Sequence, residues 1–280
     1  MGLRRGGREQ GGAVSPTRTG ARAVVNGQRR HWRKPDLHLG DGWDDCAAAV
    51  VSDRLWRTGL VTVSGLTDAE AVADLASQVM DTSAYGGFGP YGLHAVCDTR
   101  RHAHRVDGAV LTRAPVDLHT CGAALPQPPR LVLLACAQEG LAGGETLLAD
   151  SRAVFDDLAR EHPEAAHALS LPGAAFFGRG EDAFAAPVLE AVTEERRMVR
   201  LRQDGLIRWP KDIQRHVPAL RAGLARHRQE TRLRPGEGLI MDNSRWLHGR
   251  TGFTGDRLFY RAEGNPRQPL PHDQRPGEAP

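Results

Sequence analysis

His119 and His248 are the residues from which chemistry can be built, because each stands in strand-like sequence and an imidazole is a common metal ligand. His248 lies in Asp242-Asn243-Ser244-Arg245-Trp246-Leu247-His248-Gly249-Arg250 and is followed by Arg257 and Arg261 in Asp256-Arg257-Leu258-Phe259-Tyr260-Arg261. Side chains alternate across a strand, so Arg257 and Arg261 share one face. Two guanidinium groups on one face can clamp a small dianion, since each meets a carboxylate through two parallel N–H donors. The same spacing also suits a salt-bridged surface. Between the histidines, Gly143-Gly144-Glu145-Thr146 reads as a turn that delivers a hydroxyl at Thr146. A lone histidine is more often a satisfied core or surface residue than a ligand, and a Gly-Gly pair is more often a plain turn. The specific signal is the order of all three.

The elements that must position these residues are mostly strands. Leu60–Val63, Ala109–Leu111, Val116–Thr120, Leu131–Ala135, Glu145–Leu148, Ala174–Phe176, Met198–Leu201, Leu206–Arg208 and Leu239–Met241 read as strands between Pro and Gly breakers, with more through His248 and from Arg257 to Glu263. Thr67-Asp68-Ala69-Glu70 reads as a capping box. It opens a helix through Val72, Leu75 and Val79 that packs outside the main sheet. Further helices start at Asp150-Ser151 and near His216. Residues 83–92 read as a surface loop, with a lid as the alternative. Many short strands with a few helices indicate a mostly β fold with added helices, a β-sandwich or jelly roll.

The chain has 280 residues, 40% hydrophobic and 25% charged, which is ordinary for one globular domain. Residues 1–40 are rich in Gly and Arg without apolar periodicity and read as a disordered basic leader, 41–265 as a single domain, and 266–280 as a Pro-rich mobile tail. The leader lacks aromatic interleaving, which argues against nucleic acid as partner. No apolar run is long enough for a membrane helix, and no apolar stretch follows the basic start. Cys46, Cys97, Cys121 and Cys136 form no Cys-x-x-Cys pair, so reduced thiols and a cytoplasmic location are expected.

Leu118-His119-Thr120, Pro128-Pro129, Gly143-Gly144-Glu145-Thr146-Leu147-Leu148-Ala149-Asp150 and Asp242-Asn243-x-Arg245-x-x-His248-Gly249-Arg250 resemble the taurine dioxygenase and clavaminate synthase group of iron(II)- and 2-oxoglutarate-dependent oxygenases. The resemblance runs from about Leu60 to Arg261 and implies a double-stranded β-helix core. It implies that His119 and His248 hold Fe(II), that Thr146 and Arg257 bind the far carboxylate of 2-oxoglutarate, and that Arg261 assists there or holds an acid group of the substrate. Arg250 is a further candidate for substrate contact, whereas Arg245 is expected to pair with Asp242 in the scaffold. The implied reaction consumes O2 and 2-oxoglutarate, releases succinate and CO2, and oxidises a C–H bond of a small polar metabolite, with amino acids and related acids among the candidates.

The family pattern after the first histidine is His-x-Asp or His-x-Glu, and here it reads His119-Thr120-Cys121. Four readings follow. Cys121 is a thiolate ligand, exposed to oxidation beside O2. Alternatively it stays neutral and leaves a position to water or halide, as a halogenase requires. Or Asp117, two residues before His119, supplies the carboxylate from the other side. Or catalysis is lost, and the chain is a non-catalytic module that binds a small acid through Arg257 and Arg261.

Overall fold

Alternation along the strands sorts this chain into layers. The computed structural model describes residues 28–29, 35–82, 84, 87, 89–99, 108–191, 197–268 and 270. Two sheets are built from β1 (Gln28–Arg29), β2 (Leu37–His38), β3 (Leu60–Ser64), β4 (Met80–Asp81), β5 (His94–Cys97), β6 (Val116–His119), β7 (Leu131–Gln138), β8 (Thr146–Asp150), β9 (Gln229–Thr231), β10 (Glu237–Asp242), β11 (Trp246–Arg250) and β12 (Leu258–Pro266). The seven-stranded sheet runs β2-β3-β10-β7-β12-β4, with β5 also paired to β12, and the five-stranded sheet runs β1-β9-β8-β11-β6.

On β7, Leu131, Leu133 and Ala135 pack against α1 (Asp45–Thr58) and α2 (Ala69–Val79), while Val132 and Cys136 face the smaller sheet. On β8, Leu147 and Ala149 pack against α3 (Ser151–Glu161), α4 (Pro163–Leu169) and α5 (Val217–His227), while Leu148 faces the larger sheet. The order is therefore helix, sheet, sheet, helix, with an apolar filling between the sheets from Leu60, Val132, Leu239, Met241, Leu148, Trp246 and Phe259. Each such side chain, fully buried, contributes roughly 1.5–3 kcal/mol. This is the mostly β, jelly-roll arrangement with added helices that the strand pattern predicts.

Several local expectations change. The cap of α2 is Asp68, whose carboxylate accepts from Ala71 N at 2.9 Å, and Thr67 Oγ1 bonds to that carboxylate instead of serving as the cap. Asp is as good a cap as Thr, and its place one residue later sets the helix start. Gly108–Leu111 forms a 3₁₀ turn and not a strand. Helix α1 escaped the sequence reading because Cys46–Val51 is a continuous apolar run with no helical period, although only Ala47, Val51 and Leu55 are buried. Asp44 caps it through Ala47 N, and Gly59 ends it at φ 67°, where a side chain would be strained. The chain joins the sheet before residue 41: Leu37–His38 pairs with β3, and the Asp36 carboxylate accepts from Thr62 N at 2.9 Å. The expectations for residues 1–27, 30–34 and 271–280, and for much of the 83–88 loop, lie outside the described residues. Among the described residues no helix is long and apolar enough to cross a membrane.

Candidate active site

His119 and His248 are brought together by strand register. They stand directly opposite each other on β6 and β11, with ring centroids 4.6 Å apart and planes tilted by 50°. Cross-strand neighbours at this spacing can share a ligand. The pairing shifts register between His248 and Arg250, and Gly249 lies where a Cβ would meet Val116 O at 2.5 Å, so only glycine allows this approach. Cys121 sits just beyond β6. One donor atom from each of His119, Cys121 and His248 falls within 4.8 Å of the others.

Burial tunes both imidazoles for metal binding, which needs the neutral ring. Desolvation draws the pKa of His119 down to about 4, against the raising effect of its Nδ1 contact with Asp117 O at 2.9 Å. Desolvation, then the neighbouring His119 and Arg261, hold His248 well below its ordinary value. His248 Nδ1 is buried and, among the described residues, has no hydrogen-bond partner. A buried polar atom left unmet is costly, so a metal or another polar ligand is the natural occupant beside it.

Cys121 is 3% exposed and its thiol is pushed well above its usual range by burial. Its Sγ lies 2.7 Å from Glu263 Oε1. Asn243 fixes the backbone there: its Oδ1 accepts from Cys121 N at 2.9 Å, and its Nδ2 donates to Cys121 O at 2.9 Å and Pro129 O at 2.8 Å. Asp117 is exposed, and it is not part of the converging group.

The cavity beside the histidines is lined by Thr146, Arg250, Arg257 and Arg261, with Val96, Leu134 and Phe259 as apolar wall. Arg257 is buried, and among the described residues it has no carboxylate partner. Its Nη2 reaches Gly144 O at 3.4 Å, and its guanidinium carbon lies 3.6 Å from the Phe259 ring centroid. Gly144, at φ 81°, leaves the space: a Cβ there would meet Arg257 Nε at 3.0 Å. Desolvation, then repulsion from Arg250, lower the Arg257 pKa to about 10, so it remains charged at neutral pH. An unmatched buried cation is a place for an anion.

Arg250 lines the same cavity, but one of its amino nitrogens is held by Thr112 O at 2.9 Å and Ala114 O at 2.7 Å. Arg261 ion-pairs with Glu263 Oε1 at 2.9 Å. The expected Arg245–Asp242 pair does not form. Arg245 meets Asp150 at 2.8 Å, and Asp242 accepts both arms of Arg130, at 2.8 and 2.9 Å. Arg245 follows the β10–β11 turn and points along β11 toward the neighbouring strand β8, which ends at Asp150. Glu263 lies outside every motif, and Asn243, although inside one, carries no role in the sequence reading. The inward alternation Phe259, Arg261, Glu263 would have found the first.

The family model for the taurine catabolism dioxygenase TauD, TfdA family matches residues 27–262. Similar solved structures include an asparagine oxygenase, at 19% identity with a TM-score of 0.66 over 80% of each chain. Another is the non-heme iron oxygenase OrfP with Fe, succinate and (3S)-hydroxy-L-Arg, at 16% identity and TM-score 0.57 over 79% of this chain and 83% of that one. A third is the PvcB protein from Pseudomonas aeruginosa, at 19% and 0.59 over 83% and 84%. No curated protein sequence matches. At such identities the structural likenesses speak to the fold alone, whereas the family model spans most of the chain and includes both histidine strands. The chain belongs to the taurine catabolism dioxygenase TauD, TfdA family.

Proposed function

We propose that this protein is an Fe(II)- and 2-oxoglutarate-dependent oxygenase that oxidises a C–H bond of a small polar metabolite, an amino acid or a related acid. The observation that carries the reading is a buried, unmatched Arg257 in the same cavity as two neutral, converging imidazoles. His119 and His248 hold the metal. Arg257 takes the distal carboxylate of 2-oxoglutarate, and the Thr146 hydroxyl donates to the same end. The iron, when bound, supplies activation of O2 coupled to loss of CO2 from the keto acid, with succinate as co-product. The protein keeps both rings neutral by burial, holds the keto acid by its charge, and walls the cavity with Val96, Leu134 and Phe259 against water.

The substrate class is supported by the similar structures, one solved with 2S,3S-3-hydroxyasparagine and succinate and another with (3S)-hydroxy-L-Arg. A halogenase would need the place at residue 121 clear, and here a buried thiol packed against Glu263 fills it. The test is anaerobic addition of Fe(II) and 2-oxoglutarate to the purified protein, read as a weak visible charge-transfer band. Admission of air with a panel of amino acids should then release succinate. Absence of both the band and succinate would refute the oxygenase. Stabilisation by 2-oxoglutarate without any need for iron would instead identify a non-catalytic acid-binding module.

A further inference from the structure

The turn that leads into Thr146 is locked by a residue outside every motif of the sequence. Thr251 follows β11 directly and is half-buried. Its Oγ1 accepts from Gly144 N at 2.9 Å and from Glu145 N at 3.0 Å, and it donates to Glu145 Oε2 at 2.5 Å. Its own N donates to Glu145 O at 3.0 Å. The next carbonyl, Gly252 O, accepts from Gly144 N at 3.1 Å, and Ala142–Gly143 pairs antiparallel with Phe253–Thr254. The turn needs such a lock. Gly143 and Gly144 both take positive φ, 71° and 81°, and glycine is the residue that loses most freedom on being fixed.

Both groups proposed to receive the far carboxylate of 2-oxoglutarate hang on this turn. Thr146 is its next residue and starts β8. Arg257 Nη2 contacts Gly144 O at 3.4 Å, and its guanidinium carbon lies 5.6 Å from the ring centroid of Phe253, two residues after Thr251. We infer that Thr251 is a positioning residue of the co-substrate site: its hydroxyl fixes the turn that places Thr146 and Arg257 for the keto acid. The inference rests on reading this cavity as the 2-oxoglutarate site. The contacts ask for a hydroxyl, since one oxygen accepts two N–H groups and donates to a carboxylate. Valine has the same shape and can do neither, so the Gly144-Glu145 backbone would be free to drift. Serine keeps both roles. A drift of about 1 Å at the guanidinium or the hydroxyl spoils a carboxylate contact that needs roughly 2.7–2.9 Å.

The test is titration of 2-oxoglutarate into the Fe(II)-loaded full-length protein without oxygen, read by the visible charge-transfer band. Fe(II) affinity is measured beside it without the keto acid. Thr251→Val should weaken 2-oxoglutarate binding by about 10-fold while Fe(II) affinity stays within about threefold of wild type. Thr251→Ser should bind 2-oxoglutarate within about threefold of wild type, because it keeps the hydroxyl. Thr251→Val binding the keto acid within about threefold of wild type overturns the inference. Thr251→Ser as weak as Thr251→Val also overturns it, by making the methyl group the cause. A parallel loss of Fe(II) affinity in Thr251→Val overturns it too, by making Thr251 a support of the fold at large. In each of these cases Arg257→Leu, weaker for 2-oxoglutarate by about 100-fold, leaves the site reading standing. Wild type that gives no band, or Arg257→Leu that binds the keto acid as wild type does, refutes the site itself and the inference with it.

Discussion

Replacing Asn243 with leucine tests the polar role of this residue, since the two side chains have the same number of heavy atoms and the same branching, although leucine is the bulkier. Asn243 is 1% exposed, and its amide makes three hydrogen bonds: one from Cys121 N, one to Cys121 O and one to Pro129 O. Asn243→Leu removes all three and leaves one N–H and two carbonyls buried without these partners. At about 1–2 kcal/mol per orphaned group the variant should lose roughly 3–6 kcal/mol. That is a large share of the ~5–15 kcal/mol by which domains are stable. With a urea slope of about 3 kcal/mol/M, the midpoint should fall by about 1–2 M, read by tryptophan fluorescence on metal-free protein. Cys121 lies two residues from His119, so metal affinity should fall as well, by about 10-fold. A midpoint shift below about 0.3 M would show that the three bonds are replaced elsewhere, and would refute the claim that this amide holds the ligand loop.

Arg257→Leu removes the unmatched cation, and the KM for 2-oxoglutarate should rise by about 100-fold, as expected for loss of a charge-assisted carboxylate contact; an unchanged KM would place the co-substrate elsewhere. Arg130→Met leaves Asp242 buried without its bidentate partner, although Ser244 still donates to it. Breaking such a pair costs about 3–5 kcal/mol, to be read as a lowered urea midpoint that Asp242→Asn in the same chain partly restores. The metal-free protein should become less stable as pH falls. His119 titrates near 4 when folded and near 6.5 when unfolded, so the unfolded state binds more protons between those values. By pH 5 this amounts to roughly 2 kcal/mol from His119, measured as a drop in urea midpoint from pH 7.5, and His119→Asn should flatten that slope.

How far the sequence could be read depends on whether a residue's partner is local. The histidine and arginine strands were legible because alternation with period two sets which side chains share a face. Helices α2, α3 and α5 were legible from apolar spacing and start signals. Helix α1 was not, because its unbroken apolar run Cys46–Val51 marks no one face, and tertiary packing decides which side is buried. The Arg245 partner was misjudged for a related reason. Asp242 is near in sequence, but the β10–β11 turn gives Asp242 to Arg130 and turns Arg245 toward Asp150. Glu263 was read as the end of a strand. Its nearness to Cys121, 142 positions away, comes from the facing of two sheets, which no local pattern encodes.

Because Phe259, Arg261 and Glu263 occupy successive inward positions of one strand, their delivery is all-or-none. Sliding β12 by a single residue against β7 would aim Leu258, Tyr260, Ala262 and Gly264 at the cavity in their stead. Such a misthreaded molecule would bury a comparable amount of greasy surface and still lack every charged group that the larger sheet contributes. Correct alignment of this strand is thus a precondition of chemistry, and errors there would make inert protein that hydrophobicity alone does not weed out.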